Sequence, residues 1–187
     1  MRSPFALLLT VAVLGACQSA PPVPDDFPPP GGTYYTQYSL FYERGHHQTT
    51  NFRASPEGVL LPINSDVTLG EVSRNGFMLT IMATGEEIEI QHIARHTGDS
   101  LMEAFQEICG AEPVDLEQFT AEEQDAIAVG DARVGMSRDA VLAAMGEPPI
   151  TKTPSLDVRT WIYQKSRFAT MKVVFDENWV VTEVVGA

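Results

Sequence analysis

Residues 134–149 read Val-Gly-Met-Ser-Arg-Asp-Ala-Val-Leu-Ala-Ala-Met-Gly-Glu-Pro-Pro, and both ends of a short helix are written into that stretch. The Ser137 hydroxyl can accept from a first-turn amide that has no partner inside the helix. Val141, Leu142 and Met145 fall three to four residues apart and share one face. Gly146 suits the backbone that closes a helix, and Pro148 forbids continuation. The spacing therefore predicts a helix over 138–145.

Working outward, Thr120 and Glu123 have capping-box spacing and open a second helix, predicted over 121–129 and ended by Gly130. On the other side, from Arg159 to Val185, the apolar period changes to two. Trp161 and Tyr163 share one strand face, and Met171, Val173 and Phe175 share another. Val180, Thr182 and Val184 alternate with Trp179, Val181 and Val185. Two helices followed by a three-stranded antiparallel meander is a layered α+β arrangement.

The order of Gly-Met-Ser-Arg-Asp-Ala-Val at 135–141, Gly-Glu-Pro at 146–148, Trp-Ile-Tyr at 161–163 and Val-Phe before a turn resembles the SmpA/OmlA (BamE-like) family of outer-membrane lipoproteins. The likeness covers residues 119–187. It implies two helices on a three-stranded sheet, and a place in outer-membrane assembly, with envelope proteins such as the β-barrel assembly machinery as partners. It transfers no binding residue, because no motif beyond these scaffold positions anchors one.

The start of the chain reads as an address. Met1 and Arg2 precede an apolar run from Phe5 to Leu14 that is too short to span a bilayer, so residues 1–16 read as a lipoprotein signal peptide. Leu14-Gly15-Ala16-Cys17 resembles a lipobox, which implies acylation of Cys17 (palmitate among the acyl groups) and a membrane anchor without a transmembrane helix. Gln18 in place of an aspartate implies sorting to the outer membrane, facing the periplasm. Residues 17–32, with six prolines and then Gly31-Gly32, read as lipid anchor and extended tether.

Residues 33–116 read as a small antiparallel β domain closed by a helix. Tyr34, Thr36, Tyr38, Leu40 and Tyr42 would occupy one face of a first strand, packing into the domain or forming a stacking platform. A looser region runs from Glu43 to Pro62. Asn75-Gly76 and Thr84-Gly85 are hairpin turns between strands at 67–72, 77–83 and 88–93, Asn-Gly suiting a turn with two positive φ angles. Short strands around such turns suggest an SH3-like barrel. Ser100 and Glu103 form a capping box for a helix carrying Leu101, Phe105 and Ile108 on one face, with Gly110 beyond its end.

Charge separates the two halves. Residues 18–129 carry 18 acidic and 4 basic side chains, and residues 130–187 carry 7 of each. The acidic half disfavours nucleic acid and anionic head groups, leaving the neutral half as the docking side. Cys109 reads as a buried apolar thiol. His92 and His96, with Glu89 near, have the spacing of a helical metal pair, but Glu86 to Ile93 alternates like a strand and would part the rings. His46-His47 falls in a polar loop. No nucleophile elbow, phosphate loop or zinc motif is present, so the reading is a non-enzymatic module without metal or cofactor. Trp161, Tyr163 and Trp179 are the interaction candidates, with the core between sheet and helices as their competing place. The alternative function is a peptidoglycan- or peptide-binding lipoprotein that uses the N-terminal domain.

Overall fold

A computed structural model describes residues 23–50, 58–166 and 168–186 of the chain. The expected signal peptide and the expected lipidation site, Cys17, lie outside the described residues. The fold is α+β, with one curled six-stranded sheet, a two-stranded ribbon and a three-stranded antiparallel sheet. Among the described residues no helix is long and apolar enough to cross a membrane.

The large sheet has the order β3-β7-β6-β5-β1-β8. Its strands are β1 (Thr33–Thr36), β3 (His46–Gln48), β5 (Asp66–Ser73), β6 (Gly76–Ile81), β7 (Glu87–Gln91) and the short β8 (Cys109–Gly110). The ribbon pairs β2 (Leu40–Tyr42) with β4 (Val59–Leu61). Period-two alternation in β5, β6 and β7 sends Val67, Leu69, Phe77, Leu79, Ile88 and Ile90 inward, all fully buried. Helix α1 (Ala94–Thr97) follows β7, and α2 (Leu101–Ile108) lays Leu101, Phe105 and Ile108 on that apolar face. Both arms of the predicted Ser100 capping box are made, with Glu103 accepting from the Ser100 amide at 2.8 Å and Ser100 from the Glu103 amide at 3.2 Å. The helix runs directly into β8, so Gly110 is a strand residue and not its cap.

Four expectations for this half change. First, the aromatic run is not one strand. It breaks after Thr36, and Ser39 donates its amide to the Ala143 carbonyl at 3.1 Å, sending Tyr34 to the large sheet and Leu40 and Tyr42 to the ribbon. Second, the looser region contains β3 and β4, and His46-His47 is a strand pairing parallel with β7, so the sheet is mixed and not purely antiparallel. Third, the hairpin turn sits one residue early. Ser73 pairs with Gly76 around Arg74-Asn75, and neither Asn75 nor Gly76 has positive φ. Gly76 is required for another reason, since a Cβ there would run into the Ile90 carbonyl of the neighbouring strand. Fourth, the tether does not extend to residue 32. Phe27 packs on Phe77 and Phe105 at ring distances of 6.1 and 5.1 Å, and Gly31 and Gly32 exchange backbone hydrogen bonds with Leu69. An aromatic anchor outweighs the polyproline preference of its neighbours.

The other half follows its sequence closely. Helices α3 (Ala121–Ala128) and α4 (Arg138–Met145) cover β9 (Thr160–Gln164), β10 (Thr170–Phe175) and β11 (Val181–Val185), ordered β11-β10-β9. Ser137 caps α4 and Thr120 caps α3 as predicted. Glu123 does more than its capping box. One carboxylate oxygen accepts from the Thr120 amide at 2.9 Å and the other from the Ser137 amide at 2.7 Å, so one buried side chain ties the starts of both helices. These bonds to its charged form hold its carboxyl below the usual range against the opposing effect of burial.

The halves are joined by a polar seam. The Ser39 hydroxyl donates to the Ile127 carbonyl at 2.7 Å and accepts from the Ile63 amide at 3.1 Å. Asn64 exchanges two bonds with the Val114 backbone, at 2.8 and 2.7 Å. The Ile63 side chain itself sits in the core of the C-terminal half.

Candidate functional site

Two of the three aromatic candidates are core. Trp161 is fully buried, edge-on to Phe175 at 4.7 Å, and its indole N–H donates to the Leu156 carbonyl at 3.3 Å. Tyr163 is also buried, and its hydroxyl donates to the Gly146 carbonyl at 3.0 Å. The pairing of Trp161 with Val173 and Tyr163 with Met171 turns that strand face towards the helices, which removes both residues as docking groups.

Trp179 stays half-buried, in the turn between β10 and β11. Its φ is +61°, a conformation that costs a bulky side chain free energy and persists where its surroundings over-determine it. Asp176 holds the turn by accepting from the Asn178 and Val180 amides, both at 2.9 Å. The guanidinium groups of Arg159 and Arg138 lie 3.7 and 4.7 Å from the ring centroid. The ring is already engaged by two cations of its own chain. A more open apolar group, Phe168, is 92% exposed between β9 and β10.

The histidines are dispersed. His47 is buried, and its Nδ1 donates to the Phe41 carbonyl at 2.7 Å, leaving Nε2 as a buried acceptor without a partner. Burial pulls its pKa down to about 4, against the smaller opposing effect of that carbonyl. His46 meets Glu89 at 2.7 Å on the exposed edge. His92 follows β7 and His96 lies in α1, where Arg95 reaches it at 3.3 Å.

A different group of residues forms a site-like feature among the described residues. A cleft of about 370 Å³ opens where α2, the Gln37-Tyr38 break and α4 meet. Leu142, Phe119 and Val114 supply apolar wall, and Tyr38 packs on Gly146 at its floor. Gly146 is constrained twice, by a φ of +68° and by the Tyr38 ring 2.9 Å from where a Cβ would sit. Glu107, Glu147 and Asp139 line the cleft, and no basic side chain does. The Glu147 amide lies 3.4 Å from a Glu107 carboxylate oxygen.

Burial, reinforced by the charge of Glu147, pushes the Glu107 carboxyl up to about 7. Glu147 at the rim is also raised, by partial burial and Asp99, with Arg138 opposing. The Tyr38 phenol is raised well above its ordinary value, by burial first and then by Glu107. The cleft is thus a partly dry, acidic space suited to a cation with an apolar stem. Sequence reasoning passed over it because its residues come from positions 37–38, 107, 114–119 and 139–147. The one available signal was Glu107 beside the apolar face of α2.

In comparisons with known proteins, no family model, no curated protein and no solved structure matches the chain.

Proposed function

We propose that the protein is an outer-membrane lipoprotein, anchored through Cys17 and facing the periplasm, that serves as a non-enzymatic interaction module in outer-membrane assembly or envelope integrity. In this reading residues 119–187 are a BamE-like domain of the SmpA/OmlA family, and the curled sheet is an SH3-like unit fused in front of it. The observation that carries the reading is the order of parts. A lipobox cysteine is followed six positions later by Val23, which packs on the core of the body, and ten positions later by Phe27, which is buried in it. Six residue steps reach at most about 22 Å, so such a body works close to the membrane surface. Phe168, open to solvent beside the basic Lys165, gives it an apolar contact for an envelope partner.

The test is crosslinking of the native protein in its membrane, with partners identified from wild type and from Cys17→Ser. Palmitate labelling lost in Cys17→Ser, together with recovery of envelope proteins, is the expected result. Absence of label, or recovery of no envelope protein above background, sinks the reading. The acidic cleft favours a second reading, a peptide- or peptidoglycan-binding lipoprotein, in which co-sedimentation with cell-wall sacculi survives removal of the lipid anchor.

A further inference from the structure

We infer that the free edge of β9 is a docking site for an extended acidic peptide of a partner, which adds to the sheet as a fourth strand and places a carboxylate in the neighbouring cavity beside Gln164, Lys152 and His96. The inference rests on the interaction-module reading, because it assigns the surface that reads the partner.

The first observation is the backbone of β9. Lys165 donates its amide to Ala169 and Arg159 accepts from the Phe175 amide, and Trp161 and Tyr163 face Val173 and Met171 in the same phase. The even-numbered residues Thr160, Ile162 and Gln164 therefore turn their N–H and C=O groups away from β10. On that side the Ile162 amide donates to the Thr153 hydroxyl at 2.8 Å, and the remaining groups have no partner among the described residues. The opposite edge of the sheet is closed at its start, where Val181 donates to the Met136 carbonyl and accepts from the Gly135 amide. A row of free N–H and C=O groups is a template for one more strand.

The second observation is charge. A cavity of about 290 Å³ opens beside Gln164, lined also by Thr50, His96, Thr151 and Lys152. No carboxylate lines it, although the chain carries a net charge of −13. Neither Lys152 nor Arg95 has an ion-pair partner among the described residues. The Arg95 Nε donates to His96 Nε2 at 3.3 Å, which leaves the ring hydrogen of His96 on Nδ1 as a donor. Partial burial, and then the charge of Arg95, hold His96 below its ordinary pKa, so the ring keeps that neutral form near pH 7. An ammonium, an imidazole N–H and the hydroxyls of Thr50 and Thr151 are a donor set for a carboxylate. Gln164 belongs to both features, since its backbone forms the end of the open edge and it lines the cavity. A strand laid on β9 thus gains affinity from main-chain bonds, and the cavity selects its acidic side chain.

The experiment titrates the full chain in detergent micelles with acetyl-Thr-Val-Glu-Val-Thr-amide, its glutamine counterpart, and the glutamate peptide N-methylated at its three central residues, reading backbone amide shifts by NMR. The glutamate peptide is expected to move the His96, Thr151, Lys152 and Gln164 amides saturably and to slow hydrogen exchange at Gln164, with a Kd at least about tenfold below those of the other two peptides. Lys152→Gln should weaken the glutamate peptide about tenfold and leave the glutamine peptide unchanged. Equal binding of the glutamate and glutamine peptides, equal binding of the methylated peptide, unchanged affinity in Lys152→Gln, or shifts confined to other residues would overturn the inference. Propionate binding as tightly as the glutamate peptide overturns the peptide partner in favour of a small anion. Membrane crosslinking of Lys152→Gln separates the two levels. A partner recovered undiminished removes this edge from the interaction and leaves the module intact. No partner from wild type removes the module, while the titration still decides the edge.

Discussion

The two halves of the molecule are built by different means. In the C-terminal half, residues 119–187, each helix carries its own start signal and each strand its own alternation, and all of these features are used as written. In the N-terminal half the decisive contacts are distant in sequence: Phe27 on Phe77 and Phe105, β3 alongside β7, and Ser39 reaching Ile127 and Ala143. Local rules suffice where neighbours in sequence are neighbours in the fold. They fail where a backbone group must find a partner across the molecule. The cleft lies at the boundary between these two kinds of construction.

The sharpest way to break the comparison is to empty the core of the locally specified half. Trp161→Ala should cost about 3–5 kcal/mol, the range for a fully buried aromatic that leaves a cavity. Because Ile63 sits in the same core and Ser39 bridges the halves, thermal unfolding is expected to move as one transition. Two separated transitions by near-ultraviolet circular dichroism and calorimetry would show that the seam is weaker than its geometry implies.

The next test is pH at the boundary. The folded Glu107 carboxyl is raised to about 7 from its ordinary value near 4.5, so it binds more protons in the native than in the unfolded chain between those limits. Its contribution is therefore fully present below about 4.5 and lost as pH rises through about 7, by up to about 3 kcal/mol. The charged and titratable groups around it are Glu147, Asp99, Tyr38 and Tyr163. Glu107→Gln should flatten the fall in stability between pH 5 and pH 8 measured by urea unfolding. His47 acts in the opposite sense, since its lowered pKa loses stability as pH falls from about 6.5 towards 4. A Glu107→Gln profile parallel to wild type would show that the carboxyl is better solvated than its surroundings indicate.

Ser39 tests the seam itself. Its hydroxyl satisfies the Ile63 amide and donates to the Ile127 carbonyl, which also accepts from the Gly130 amide, so Ser39→Ala strands one buried backbone donor and should cost about 1–3 kcal/mol. The loss should appear as faster hydrogen exchange at Ile63. Exchange unchanged there would mean that the Ser39–Ala143 and Asn64–Val114 bonds hold the seam without the hydroxyl.

Particular residues show how much was legible. Ser100, Thr120 and Ser137 announced their helices, and the alternation at 160–185 announced the meander, because these signals act within one turn or one strand. Asn75-Gly76 announced a hairpin but misplaced it by one residue, since Gly76 is needed for the close approach of Ile90 and not for a turn. Trp161 and Tyr163 carried the right strand and left their role open between core and docking: alternation gives two faces without saying which one is covered. The cleft was invisible, because Tyr38, Glu107 and Glu147 lie in separate stretches and no spacing rule joins them.

Trp179 gives the smallest and most discriminating effect, because there the locally specified half breaks a local rule. The turn needs a positive φ at that position, which glycine adopts freely and a tryptophan does not. The ring compensates by packing on Phe175 at 5.7 Å and by lying under Arg159 and Arg138. Trp179→Ala loses those contacts and keeps the backbone strain, whereas Trp179→Gly loses the contacts and relieves the strain. The glycine variant should therefore be the more stable of the two by about 1 kcal/mol. Equal melting of the two variants would mean that the left-handed backbone costs nothing here. A wild type no more stable than the glycine variant would mean that the arginine stack adds nothing to folding, and would return Trp179 to the set of residues free to meet a partner.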